Sequence, residues 1–152
     1  MRRIVVKFGG HAMSDEHGSF ATAIAEAQST GCEVIVVHGG GPQINAALEK
    51  AGITSQFIGG FRVTTPETFT VVERVLTSEV GPGVAASLQT HGIAAQAMSG
   101  RNEVLFADRQ LTLVDGTPAD LGRVGNVARA SAAPIENLLE AKVVPVIAPI
   151  AQ

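Results

Sequence analysis

Residues 34–42 read Val-Ile-Val-Val-His-Gly-Gly-Gly-Pro. Four apolar, mostly β-branched residues predict a buried strand. Three glycines then predict a turn without side chains, and Pro42 opens a helix. A ligand at such a turn meets bare backbone N–H groups at a helix N-terminus, where the dipole favours an anion. The N-terminus repeats the design, with Ile4-Val5-Val6, then Lys7, Phe8 and Gly9-Gly10. Two strand-to-glycine turns, one preceded by a lysine, point to phosphate or carboxylate chemistry.

Outward from this stretch, strands alternate with helical patterns, which predicts a mostly parallel sheet covered by helices. Strands are expected at 4–8, 33–38 and 93–98, with a last buried strand at 143–147. Helices are expected at about 15–30, with Ser14 as cap and Gly31 at the end, at 42–51 with Gly52 beyond it, and at 134–141. Residues 53–63, with Ile53, Phe57, Ile58, Phe61 and Val63 around Gly59-Gly60, predict a β-hairpin over the sheet edge. Thr64-Thr65-Pro66-Glu67 is a helix start, followed by Phe69, Val72, Val75 and Leu76 on one face. Gly81-Pro82-Gly83 is expected to kink or break that helix before a second segment ending near His91-Gly92. Residues 103–114 and 123–128 read as antiparallel strands. Pro145 cannot donate to a ladder, so it belongs near a strand start or faces a gap.

The chain has 152 residues, 45% of them apolar, which fits one domain with a real core. Charged residues are only 16%, the net charge is −3 and aromatics are 4%. With no basic cluster and few rings to stack on bases, nucleic acid is not an expected partner. Neither a signal peptide nor a membrane-length apolar run is visible, so a cytoplasmic location is expected. Cys32 is the single cysteine. It reads as a small, partly buried residue at a strand start rather than as a nucleophile.

Four separated motifs now stand in order: Val-Val-Lys-Phe-Gly-Gly at 5–10, Val-Val-His-Gly-Gly-Gly-Pro-Gln-Ile-Asn at 36–45, Gly-Phe-Arg-Val-Thr at 60–64 and Asp-Leu-Gly-Arg-Val-Gly at 120–125. With Val-Pro-Val-Ile-Ala-Pro-Ile near the end, they resemble the amino acid kinase superfamily over essentially the whole chain, and within it the N-acetylglutamate kinases of arginine biosynthesis. The resemblance implies an α/β three-layer sandwich with a mostly parallel central sheet and a β-hairpin lid. It implies phosphoryl transfer from ATP to the side-chain carboxylate of N-acetyl-L-glutamate, with Mg²⁺, in a homodimer. It covers only the N-terminal half of that family, so residues 1–152 would be the lobe for acyl-amino-acid binding and dimerisation. The ATP-binding lobe, with a second catalytic lysine, would follow Gln152, and this chain alone is expected to be inactive.

Phosphoryl transfer needs positioning and cancellation of charge more than covalent help. Lys7 is the candidate transition-state stabiliser, with Gly10 beside it in a catalytic role. Gly9, Gly10 and Gly39 are the candidate phosphate-binding glycines. By resemblance, Gly40 and Gly41 contact the amino-acid substrate. Arg62 is the candidate clamp for its α-carboxylate, since a guanidinium fork binds a carboxylate bidentately, and the hairpin would carry it as a lid. His38 reads as structural, because a carboxylate nucleophile is already ionised and needs no base. Asn45 reads as packing its helix. His11, His17, His38 and His91 have no metal-ligand spacing, so Mg²⁺ is expected to arrive with ATP and no protein metal site is expected.

Two departures from the family pattern stand out. Gly81-Pro82-Gly83 replaces a polar helix and puts the dimer face in question, and Ser99-Gly100-Arg101-Asn102-Glu103 loses a usual Asp-Gly. The alternatives are a related kinase for another carboxylate, such as carrier-linked aminoadipate, and a non-catalytic module for amino-acid binding or dimerisation.

Overall fold

The computed structural model describes residues 2–9 and 18–152. Four strands form a parallel sheet: β1 (Arg2–Phe8), β2 (Cys32–His38), β5 (Ala95–Ser99) and β8 (Val144–Ala148), in the order β1-β2-β8-β5. β1 and β2 run in register from Arg2 opposite Cys32 to Phe8 opposite His38. The two motifs read from the sequence therefore end side by side at the carboxyl edge. β8, last in the chain, lies in the middle of the sheet and is buried throughout.

Alternation along the strands divides the core. Ile4, Val6, Phe8, Val34, Val36, Val144 and Val146 face one side. Helices α1 (Ser19–Ser29), α2 (Gly41–Lys50), α3 (Pro66–Arg74) and α4 (Gly81–Thr90) cover it with Ile24, Ile44, Leu48, Phe69, Val84 and Leu88. Each fully buried valine or leucine there contributes about 1.5–3 kcal/mol relative to exposure. Ile35, Val37, Met98 and Ile147 face the other side, under Ile135 and Leu139 of α5 (Ala133–Glu140). The expected three-layer α/β sandwich is what forms, with the second helix layer reduced to α5. Val5, on that thin side of β1, stays 66% exposed.

Local chemistry accounts for most boundaries. Thr65 caps α3 by accepting the Thr68 N–H at 3.1 Å, with Pro66 in the first turn. Gly52 follows α2 at φ 70. Pro145 pairs across β5 with Gln96, while the ladder to β2 begins only at Val146, so its missing N–H falls outside that ladder. Helix α1 begins at Ser19 behind Gly18, at φ 65, and the expected Ser14 cap lies outside the described residues.

Of the kink or break expected at Gly81-Pro82-Gly83, the break does not occur. The backbone stays right-handed helical from α3 through a π turn at Val75–Val80 into α4, and the Gly81 N–H reaches back five residues to Leu76 O. The wider turn restarts the helix, so Pro82 sits in a first turn, where a missing N–H goes unneeded.

Two small antiparallel units complete the fold. The hairpin β3 (Phe57–Ile58) and β4 (Phe61–Arg62) turns at Gly59-Gly60. The ribbon β6 (Leu105–Arg109) and β7 (Gly125–Ala130) is shorter than the strand expected at 103–114, because residues 110–114 leave the ladder. Among the described residues, no helix is long and apolar enough to cross a membrane.

Candidate functional site

The two glycine turns touch. The Gly39 N–H donates to Phe8 O at 3.0 Å, tying the end of β1 to the end of β2. That N–H joins the turns rather than facing a ligand, which narrows the role expected of Gly39. A Cβ placed on Gly9 would lie 3.8 Å from both Gly39 N and Lys7 Cε, so the lysine stem runs along this joint. Among the described residues no carboxylate pairs with Lys7. Gly10 lies outside the described residues.

Gly40 precedes α2, and Gly41 opens it. Neither N–H finds an acceptor among the described residues, so among them two bare donors stand at a helix N-terminus. Their surroundings differ. A Cβ on Gly40 would lie 2.7 Å from Leu76 Cδ2 and 3.3 Å from Val80 Cγ2, both on the π turn. A Cβ on Gly41 would meet nothing within 4 Å. The π turn is thus the wall that holds the loop on one side, and among the described residues nothing stands against Gly41.

His38 is buried to 1%. Its Nδ1–H donates to Gly39 O at 2.8 Å, while Nε2 has no partner among the described residues and faces Gly81. Burial pushes the imidazole below its ordinary range, partly offset by the Gly39 carbonyl. A neutral ring locked under the loop fits the structural role read from the sequence.

Arg62 ends the hairpin and turns toward α2. Its Nη2 donates to Asn45 Oδ1 at 2.7 Å, its Nη1 donates to Ser55 Oγ, and its guanidinium stacks 4.7 Å above the Phe57 ring. Asn45 lies four residues beyond Gly41, about 6 Å along the helix axis. Desolvation lowers the Arg62 pKa, yet an arginine remains cationic. Two of its five donors are engaged, which leaves a face for an anion.

Sequence reasoning assigned Asn45 to packing; it is instead exposed and holds Arg62. Its position one turn past the glycines, on the open side of an amphipathic helix, was the available signal. Ser55 and Phe57 gave no such signal, because their roles depend on how the hairpin closes. Cys32 is half-buried at the first position of β2, as expected.

The sequence profile of the amino acid kinase family matches residues 2–152. The chain belongs to that family. Among curated relatives it is similar to acetylglutamate kinases: 41% identical to that of Corynebacterium efficiens over 97% of this chain and 50% of the relative. It is 44% identical to that of Bifidobacterium longum over 99% of this chain and 50% of the relative. The chain spans about half the length of the curated relatives it matches. Among solved structures, smu.665 from Streptococcus mutans superposes with a TM-score of 0.84 at 31% identity, over 96% of this chain and 58% of that one. N-acetylglutamate synthase from Neisseria gonorrhoeae, complexed with coenzyme A and N-acetyl-glutamate, superposes at 0.76 with 18% identity, over 99% of this chain and 34% of that one. The latter supports the amino acid kinase fold and nothing finer.

Proposed function

We propose that these residues form the N-acetyl-L-glutamate-binding lobe of an acetylglutamate kinase. One observation carries the reading: the Lys7 stem runs along the joint of Gly9 and Gly39, which leads into a helix N-terminus where, among the described residues, the Gly40 and Gly41 amides find no acceptor and nothing crowds Gly41. Among the described residues, neither a positive φ nor a crowded neighbour requires glycine at 9 or 41. A ligand approaching bare backbone does.

In this reading the Gly40 and Gly41 amides receive the substrate's acidic side chain and the incoming phosphoryl group, and Lys7 cancels charge on the transferring oxygens. Arg62 holds the α-carboxylate at the other end. The side-chain carboxylate oxygen attacks the γ-phosphorus as the bond to the ADP oxygen breaks. Acyl phosphate and ADP form, with no proton to remove. Identity of 41–44% to acetylglutamate kinases over nearly all of the chain supports this substrate over aminoadipate. The partners proposed for the intact protein are ATP with Mg²⁺ and a second subunit, in the cytoplasm. ATP is assigned to a second lobe, so the 152 residues alone are expected to form no acyl phosphate.

Calorimetry tests the reading. N-acetyl-L-glutamate is expected to bind this chain, L-aminoadipate at least tenfold more weakly, and Arg62→Ala to lose at least tenfold in affinity for N-acetyl-L-glutamate. No heat from N-acetyl-L-glutamate on the folded chain, or robust turnover with ATP by the chain alone, overturns it.

A further inference from the structure

The head group of Arg62 is held by α2, but something must also fix the backbone from which it springs. The hairpin is only two residues deep on each strand and belongs to neither the central sheet nor the ribbon. Its base is gripped at Thr64. The Thr64 N–H donates to Leu121 O at 2.9 Å, and the Arg123 N–H donates to Thr64 O at 2.7 Å, so both backbone groups of Thr64 are engaged by one turn. The Thr64 hydroxyl donates in turn to Arg62 O at 2.9 Å. Thr64 is buried to 6% and Leu121 completely.

The turn is shaped for this grip. Gly122 sits at φ 69, where side chains are rarely found. A Cβ there would drive into the Thr64 carbonyl oxygen and lie 2.7 Å from its carbon. The turn is also braced from outside. Asp120 Oδ1 accepts the Gly122 N–H at 3.0 Å and Arg109 Nη2 at 2.7 Å, and Arg109 Nε donates to Gly122 O at 3.1 Å. The Gly122 N–H, and then the Arg109 charge, hold the Asp120 carboxyl below the usual carboxylate range, so the brace persists into mild acid. Beyond the turn, residues 122–125 border a cavity of about 1120 Å³ shared with α3, so packing on that side is incomplete.

We propose that the Asp120–Arg123 turn, through the close approach of Gly122 to Thr64, is the positioning element that aims Arg62 at the ligand's α-carboxylate. The inference rests on the reading of Arg62 as that clamp. It gives the fourth sequence motif a task of its own, distant from the reacting atoms. The reason is geometric: a bidentate guanidinium–carboxylate pair tolerates only about 0.5 Å of displacement. A side chain at 122 has to move Thr64, and with it the carbonyl of Arg62.

The experiment compares two ligands by calorimetry on the folded chain. One is N-acetyl-L-glutamate; the other is N-acetyl-4-aminobutyrate, the same molecule without the α-carboxylate. Gly122→Ala is expected to weaken the first at least tenfold and change the second less than twofold. In an Arg62→Ala background, Gly122→Ala is expected to change neither, since a positioning residue acts only through what it positions. Asp120→Asn supplies the milder variant in case Gly122→Ala does not fold. It should weaken the first ligand about threefold with the melting temperature nearly unchanged, because exposed ion pairs contribute little stability.

Equal loss of both ligands, or full additivity of Gly122→Ala with Arg62→Ala, reduces the turn to a structural role and overturns the inference. So does wild-type affinity in both Gly122→Ala and Asp120→Asn. If Arg62→Ala itself binds N-acetyl-L-glutamate as the wild type does, the clamp reading falls and takes the inference with it.

Discussion

Gly40-Gly41 and Gly59-Gly60 look alike on paper and differ in what glycine does there. Gly59 and Gly60 sit at φ 55 and 84, the pair of left-handed conformations that a two-residue hairpin turn demands. Neither Gly40 nor Gly41 occupies that region. Gly40 is glycine because Leu76 and Val80 lie against it; Gly41 has no such neighbour. One pair is explained by the chain itself. Half of the other is not explained by any described residue, and that glycine stands at the helix N-terminus. A glycine the fold does not require is a better marker of a ligand than a glycine the fold cannot do without.

Substitution to alanine should pull these cases apart. Gly40→Ala is expected to cost the most, about 1–3 kcal/mol, because the added methyl overpacks a buried contact with the π turn. Urea unfolding reads the loss, and an unchanged midpoint would mean that Leu76 simply rotates away and the wall is soft. Gly60→Ala is expected to cost about 1–2 kcal/mol through its positive φ alone, since a Cβ there meets nothing within 4 Å. Gly41→Ala should behave oppositely. Its backbone tolerates a side chain, so stability should hold or rise by up to about 1 kcal/mol, while affinity for N-acetyl-L-glutamate falls at least tenfold. A Gly41→Ala protein that binds like the wild type breaks the distinction between the two pairs.

The same contrast explains what the sequence made legible. Strand and helix identities followed from apolar runs and punctuating Gly and Pro, because those signals are local. The side-by-side placement of the two glycine turns followed from two similar motifs placed on neighbouring parallel strands. The π turn was not legible. Gly81-Pro82-Gly83 reads as a kink or a break, and only the wider turn back to Leu76 O turns Pro82 into a helix start. Nor was the engagement of the Gly39 N–H legible, because it depends on the exact register of β1 on β2. The supports of Arg62 other than Asn45 were hidden for a similar reason: Ser55 and Phe57 lie in the hairpin segment and Gly122 in a distant turn, and no spacing rule connects them to it.

A last case inverts the comparison. In the segment 99–103 the exposed residue Glu103 is held at φ 61, in the region that glycine occupies freely. Here the backbone asks for glycine and the sequence supplies a side chain. The Glu103 carboxylate has no ion-pair partner among the described residues, so replacing it removes no salt bridge. Relief of the left-handed strain outweighs the extra freedom that glycine gives the unfolded chain when the conformation is this unfavourable for an L side chain. Glu103→Gly is therefore expected to stabilise the protein by somewhat under about 1 kcal/mol, read as a rise in the thermal or urea midpoint, with ligand affinity unchanged. A fall in the midpoint would show that unfolded-state entropy dominates at this turn, and that a positive φ is weaker evidence for a required glycine than Gly59 and Gly60 imply.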